Sequence, residues 1–257
     1  MPASPGSISI VAAGTAPIAG REEQAIATSR VGTAIAQRGG HRTLGVVSLA
    51  VGPLIMAVGD LLHPKETADL GRQAAIVAAQ ATRWYLAHLL LFIGLVVFVP
   101  GLLLLADLAA ARRPRVGSAA RVLLVIGIGG TSAIFVAEML AGRFGSLGAA
   151  ATEELLEAMF SGPVAGPMLA AALALFLGAA VFAAPLIAGG GPLRWPAVAL
   201  QVGTLLVLAE ILSSQVLLSQ IGNLLIWSGS AAIAWLLVRG EVGAPAGAGA
   251  GRRLPAG

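Results

Sequence analysis

The sequence predicts an all-α polytopic membrane protein whose six transmembrane helices form a bundle with short loops. Of its 257 residues, 57% are hydrophobic and only 11% are charged, whereas an ordinary soluble domain is roughly a quarter charged. So few charges do not cover a soluble surface. In addition, six separate apolar runs each reach about 20 residues, the length that crosses a hydrocarbon core.

The six predicted spans follow one another along the chain with recognisable boundaries. The first ends at His63-Pro64, because the residue before a proline is biased away from helix. The second begins at Trp84 and the third at Arg121, and a Gly-rich stretch at 189–191 follows the fourth. The fifth and sixth are separated only by polar residues at 213–215; one helix over both would be about 66 Å long, twice what a membrane needs. The predicted spans are 43–62, 84–108, 121–141, 164–188, 195–214 and 215–238.

Segments outside the spans are of three kinds. The tails 1–42 and 240–257 are rich in Gly, Ala, Pro and Ser, so we predict that they are largely disordered, with a short surface helix at 21–38. Residues 66–83 have helical spacing and are predicted to extend the second span. Between the third and fourth spans, Thr152 begins a predicted interfacial helix on the outer surface. Its apolar face comprises Leu155, Leu156, Met159 and Phe160.

The fourth span carries small residues at every fourth position, which let a neighbouring backbone approach closely. They predict packing within the bundle, with a homodimer or another membrane subunit as the alternative partner. The residues are Gly166, Ala170, Ala174 and Gly178.

Basic residues predict the orientation in the membrane. If the N-terminus is cytoplasmic, twelve Arg residues lie on the inner side and four Lys or Arg on the outer side, as the positive-inside rule requires. Both termini are therefore predicted to be cytoplasmic. Arg outnumbers Lys fifteen to one, which suggests a GC-rich bacterial genome and hence the inner membrane. Because these arginines lie at helix ends and not in a patch with aromatic residues, no nucleic-acid partner is expected.

Ionisable and strongly polar residues converge at one predicted depth. Counting along each span at 1.5 Å per residue places them all in the outer third of the membrane. Five of the six spans contribute, and the fourth does not. Ionisable groups inside a membrane are costly and are functional candidates by default. The predicted pocket comprises Asp60, His63, His88, Glu138 and Glu210, with Gln220 and Asn223 on its rim.

Most of these residues also have a purely structural interpretation. Asp60 and His63 would mark the point at which the first span meets water, and His88 would hydrogen-bond Trp84 or a neighbouring carbonyl. Glu138 would pair with Arg143. Glu210, flanked by apolar residues on both sides, is the hardest to explain structurally.

The inner half of the membrane holds fewer polar groups. There, Asp107 lies at the inner boundary and would pair with Arg112 and Arg113 or reach water.

The chemistry open to this pocket defines three classes of function. The first is binding of a proton, ion or small ligand in a transporter or a sensor-like subunit. The second is a membrane enzyme with a divalent metal at His63, His88, Glu138 and Glu210, using Glu210 or Glu138 as general base on a lipid or periplasmic substrate. The third is a structural partner subunit. Two histidines at one depth would also suit a haem. The absence of Cys excludes thiolate sites.

Overall fold

The structure is a computed structural model that describes residues 19–67 and 69–242, with side chains from residue 40 onward. The described residues form eight α-helices and no strand. Of the described residues, those up to 41 belong to one unit and those from 42 to 242 to another, which holds the site discussed below. The helices are α1 (Ala19–Leu62), α2 (Leu70–Ala79), α3 (Ala81–Arg112), α4 (Pro114–Gly145), α5 (Ala149–Ser161), α6 (Ala165–Ala188), α7 (Arg194–Ser213) and α8 (Val216–Val238).

Six of these helices are long and apolar enough to cross a membrane, so the predicted multi-pass bundle is confirmed. The spans lie in α1 (Gly40–Leu62), α3, α4, α6, α7 and α8. The predicted break between the fifth and sixth spans is also correct. Ser214 there adopts a left-handed conformation (φ 53°), and its N–H donates to the Glu210 carbonyl at 2.7 Å.

The N-terminal boundary differs from the prediction, because α1 begins at Ala19 and includes residues that were assigned to the tail and to a short surface helix. This segment contains Ala, Glu, Gln and Arg, which favour helix. Residues 1–18 and 243–257 lie outside the described residues, and with them part of the predicted N-terminal tail and most of the predicted C-terminal tail.

Glycines bring neighbouring helices into close contact. On α1, Gly45, Gly52 and Gly59 recur every seven residues and face the backbone or side chains of α3. A β carbon at Gly52 would lie 2.6 Å from the Cα of Phe98. Since a seven-residue repeat keeps one helix face against its partner, this seam fixes α1 against α3.

The small-residue stripe of the fourth span is only partly used inside the bundle. Gly178 of α6 is buried against Leu124 of α4, whereas Gly166 and Ala170 are exposed. The closest contacts between α4 and α6 involve Gly127 and Gly130 of α4 instead. Contact with a second copy through the stripe stays a prediction.

Two short helices cover one end of the bundle, which we call the capped end. The fully buried Ala74 and Val77 of α2 pack with Trp84 of α3 and Leu156 of α5. The interfacial segment is thus a helix that packs on α2, and it begins at Ala149, earlier than the predicted Thr152.

The segment predicted to lengthen the second span is a separate helix, α2. It ends at Ala79, and the backbone of Gln80 is not helical (φ −127°, ψ 30°), so α3 begins as a new helix at Ala81.

The largest apolar core lies toward the opposite end. It joins the ends of α3, α6 and α8 to the beginnings of α4 and α7, with Phe182 and Leu186 fully buried at its centre. The half of the bundle near the capped end is less completely filled.

Candidate functional site

A cavity of about 340 Å³ extends through the bundle from the capped end. It lies among α1, α3, α4, α6, α7 and α8, and its lining changes from polar to apolar along its length. The apolar part includes Leu95, Phe98 and Leu102 of α3, with Phe182 and Leu200 opposite. The polar lining residues are Asp60, His63, Glu66, His88, Thr131, Glu138, Thr204, Glu210, Ser219 and Asn223.

Two histidines from different elements touch each other at the polar end. His63 follows the last residue of α1, and His88 lies in the second turn of α3. Their Nε2 atoms are 3.2 Å apart and their rings meet edge to face, with centroids 4.6 Å apart. Both side chains are buried, with 8% and 4% of their surfaces exposed. The indole of Trp84 lies 4.8 Å from each imidazole and completes an aromatic cluster.

The other nitrogen of each ring is bonded to the backbone. His63 Nδ1 lies 2.8 Å from the Pro64 carbonyl, and His88 Nδ1 lies 3.0 Å from the Trp84 carbonyl. A carbonyl only accepts hydrogen bonds, so both Nδ1 atoms must be the donors. The predicted bond between His88 and Trp84 is therefore present, and it leaves Nε2 free to meet His63.

Asp60 lies one turn before His63, and its carboxylate is hydrogen-bonded by Ser219 of α8. Ser219 Oγ is 3.1 Å from Asp60 Oδ1 and also 2.9 Å from the Val216 carbonyl, so its single proton serves either acceptor. Asp60 is only 7% exposed, yet its Oδ2 has no hydrogen-bond partner. An interpretation of Asp60 as a residue that simply meets water at the end of a span does not fit this burial.

Two further carboxyl groups reach the cavity from α4 and α7. Glu138 Oε2 is buried without a hydrogen-bond partner, while the Glu138 backbone carbonyl accepts from Trp84 Nε1 at 3.1 Å. The predicted pair with Arg143 does not form, because that guanidinium lies over the ring of Tyr85 instead. Glu210 is 9% exposed and lines the same cavity.

Glu66 belongs to the site and is missing from the sequence-based set. Its Oε1 lies 3.4 Å from His63 Nε2. Burial, followed by the nearby Asp60 carboxylate, raises the pKa of Glu66 to about 7, although 38% of its side chain is accessible. Burial also lowers the pKa of His63, against the opposing effects of the Pro64 carbonyl and Asp60. A Glu three residues after His63, directly beyond a span, is the signal that points to it.

Three hydrogen bonds fix the loop that carries Glu66. Thr67 N donates to Gln73 Oε1 at 2.8 Å, and Arg83 Nε donates to the Leu62 carbonyl at 2.7 Å. The third is the bond from His63 to the Pro64 carbonyl. These contacts hold the chain where it leaves α1, which positions His63 against His88.

Six of the seven predicted pocket residues line the cavity, and Gln220 does not. On α8 the cavity-facing polar residues are Ser219 and Asn223, which are one helical turn apart. Gln220 lies about 100° around the helix from Ser219 and so points elsewhere.

At the other end of the bundle, Asp107 is exposed, as one of the two alternatives predicts, but the predicted pair with Arg112 and Arg113 does not form. Asp107 pairs with Arg121, and Arg112 donates to the carbonyls of Pro185 and Leu186 at 3.0 Å each.

Two cofactors were predicted for this site, a divalent metal ion and a haem, and each requires a particular spacing of its ligands. Within the described residues, no three His, Asp or Glu side chains stand in positions to hold one metal ion without rearrangement. Haem iron between two opposed imidazoles needs a nitrogen–nitrogen separation of about 4 Å, given metal–nitrogen bonds of about 2.0 Å. The 3.2 Å separation of His63 and His88 argues against such a haem.

Comparison with models of protein families, with curated protein sequences and with solved structures finds no match for this chain.

Proposed function

We propose that this protein binds a small amphiphilic ligand inside its transmembrane bundle, with the polar head of the ligand at the capped end. The observation that carries the proposal is the division of one cavity into a polar end with four carboxyl groups and a largely apolar remainder, to which Thr131 and Thr204 contribute hydroxyl groups. This binding role belongs to a transporter or a sensor-like subunit, the first class of function that the sequence suggests.

The apolar part of the cavity suits a hydrocarbon tail. It follows α3 from Leu91 to Leu102, eleven residues, or about 17 Å along the helix axis. The cavity volume of about 340 Å³ falls within the range usual for small-molecule sites, about 300–1,000 Å³. A narrow, largely apolar volume of this length favours a chain-like molecule over a compact one.

The polar end favours a head group that is positively charged or that donates hydrogen bonds. Asp60, Glu66, Glu138 and Glu210 line it, whereas no Lys or Arg of the described residues does. Among the described residues, Asp60 Oδ2 and Glu138 Oε2 accept no hydrogen bond of normal length, although the side chains of Asn223 and Trp84 lie near the Asp60 and Glu138 carboxyl groups respectively. A buried acceptor without a donor costs about 1–3 kcal/mol. An ammonium head supplies both charge and donors, while a phosphate head would add repulsion.

Binding of two fluorescent alkyl amphiphiles, one with an ammonium head and one with a sulfate head, tests this proposal on the full chain in detergent. We expect the ammonium probe to bind at least about tenfold more tightly, a difference of about 1.4 kcal/mol. Ala172 lines the cavity, so Ala172→Phe should fill it and weaken binding about tenfold or more. Ala170 is exposed on the same helix, and Ala170→Phe is the matched control. Equal binding to wild type and Ala172→Phe would rule out the cavity as the site.

We further propose that the protein lies in a bacterial inner membrane with both termini cytoplasmic. The support is the excess of basic residues on the side that the termini share, twelve against four. The chain has no Cys, so single cysteines report on one position each. In intact cells an impermeant maleimide should label Ser146→Cys between α4 and α5, but not Ala188→Cys at the end of α6. The reverse pattern would invert the orientation.

A further inference from the structure

We propose that His63, His88 and Glu66 form a binding site for a divalent transition-metal ion, with Zn²⁺ as the best-suited metal. The site shares Glu66 with the polar end of the cavity, but zinc binding is measured without amphiphile, so the two proposals can fail separately. It lies at the polar end of the cavity, beside the position proposed for the ligand head.

The first argument is the direction of the imidazole lone pairs. Each Nδ1 donates its proton to a backbone carbonyl, so each neutral ring carries a bare lone pair on Nε2. The two Nε2 atoms are only 3.2 Å apart. Two bare lone pairs at this distance repel each other, and a metal ion on which both converge, to one side of the line between the nitrogens, removes the repulsion.

The second argument is the distances between the ligand atoms, which are compared with the edges of a tetrahedral zinc site. Zinc–nitrogen bonds are about 2.0–2.1 Å, so two ligands of a tetrahedral zinc ion are about 3.3–3.4 Å apart. The two Nε2 atoms are separated by 3.2 Å, and His63 Nε2 lies 3.4 Å from Glu66 Oε1. Both separations match edges of such a tetrahedron. Among the described residues the three side chains do not already surround one centre, so metal binding requires the Glu66 carboxylate to turn toward the histidine pair. Glu66 has room for this change because 38% of its side chain is accessible.

The third argument is the surroundings of the ligands. Histidines that bind metals usually donate their other ring nitrogen to a carbonyl or carboxylate, which fixes the tautomer and the ring orientation. Both rings already do so. Asp60 Oδ2, buried and without a hydrogen-bond partner in the same cavity, adds negative charge that a divalent ion would offset. Imidazole with carboxylate suits borderline metals such as zinc.

Equilibrium dialysis against Zn²⁺, followed by elemental analysis, tests the site on the tag-free full chain in detergent without added amphiphile. We expect one Zn²⁺ per wild-type chain, and affinity reduced by about tenfold or more in His63→Ala, His88→Ala and Glu66→Gln, since even changes outside the ligand set cost 10–100-fold. The matched controls are His41→Ala and Glu157→Gln, exposed residues that do not line the cavity. They should bind zinc like the wild type.

The outcomes separate the two proposals. Absence of stoichiometric zinc from the wild type overturns the site, and the histidine pair then holds only a proton. Equal affinity in wild type and Glu66→Gln also overturns the site as stated, and this variant changes only a loop residue should the histidine variants fail to fold. Visible absorption of tetrahedral Co²⁺ in the wild type gives a further readout, and its absence contradicts the proposed ligand geometry. Amphiphile binding is measured separately and can fail without affecting these results.

Discussion

Replacing Gly52 by alanine should weaken the pairing of α1 with α3, on which the position of the histidine pair depends. A β carbon at this position would lie 2.6 Å from the Cα, Cβ and N atoms of Phe98. Ordinary contact begins at about 3.4 Å, so the helices must separate locally by about 0.8 Å. The opposing atoms belong to the backbone or its first carbon, which do not rotate out of the way.

The expected magnitude comes from two opposing effects. Overpacking of this kind costs about 1–3 kcal/mol, while Gly→Ala within a helix gains about 0.8–1.0 kcal/mol from intrinsic propensity. Gly129 of α4 supplies the control, because a β carbon there meets nothing within 4 Å. Gly129→Ala keeps the propensity gain and lacks the overlap. The difference in unfolding free energy between the two variants should therefore be about 1–3 kcal/mol, with Gly52→Ala the less stable.

Titration with SDS in mixed micelles, followed by far-ultraviolet circular dichroism, measures both variants against the wild type. Gly52→Ala should unfold at a lower SDS fraction than Gly129→Ala. If it unfolds at the same fraction or a higher one, the close approach at Gly52 does not limit the packing of α1 on α3. The reasoning about the glycine seam would then fail.

Three further substitutions test the core, the site and the opposite end of the bundle by the same titration. Phe182→Ala should cost about 3–5 kcal/mol, because this side chain is fully buried in the apolar core; a cost below about 1 kcal/mol would contradict that packing. Ser219→Ala should cost about 1–3 kcal/mol, since it removes a donor from buried Asp60, whereas Ser228→Ala on the exposed side of α8 should be nearly neutral. Arg112→Gln should cost about 1 kcal/mol through loss of two hydrogen bonds to the end of α6, and no change would show that water replaces them.

The spans and most of the pocket could be predicted because hydropathy and depth are properties of each helix alone. Length and apolarity define a span, and counting residues from its end gives a depth, so His88, Glu138 and Glu210 could be placed at one level before their neighbours were known. Depth does not give the direction in which a side chain points around its helix. This is why Gln220 was expected at the rim and Ser219 was overlooked.

Contacts between elements were harder to predict than the elements themselves. The small residues at every fourth position of α6 were predicted to mediate helix packing. The close pairing of α1 with α3 instead uses Gly45, Gly52 and Gly59 of α1. Their seven-residue repeat is visible in the sequence, but a glycine repeat does not say which helix it faces. Glu66 was missed for a different reason: it lies on a loop, and only the path of the chain from His63 to Glu66 brings its carboxylate back to the imidazole.

The cost of the polar cluster explains why an occupant is expected. Asp60, Glu138 and Glu210 lie within spans, and each ionised group there costs about 2.5–3.5 kcal/mol on insertion scales. Together the three would cost roughly 8–10 kcal/mol, comparable with the whole stability of a typical protein, about 5–15 kcal/mol. No Lys or Arg among the described residues lines the cavity to offset this cost. Protons or bound cations must therefore neutralise the cluster, and a cation that binds the folded chain also stabilises it. A metal ion at the histidine pair and a positively charged ligand head would each supply positive charge that neutralises the same group of carboxylates.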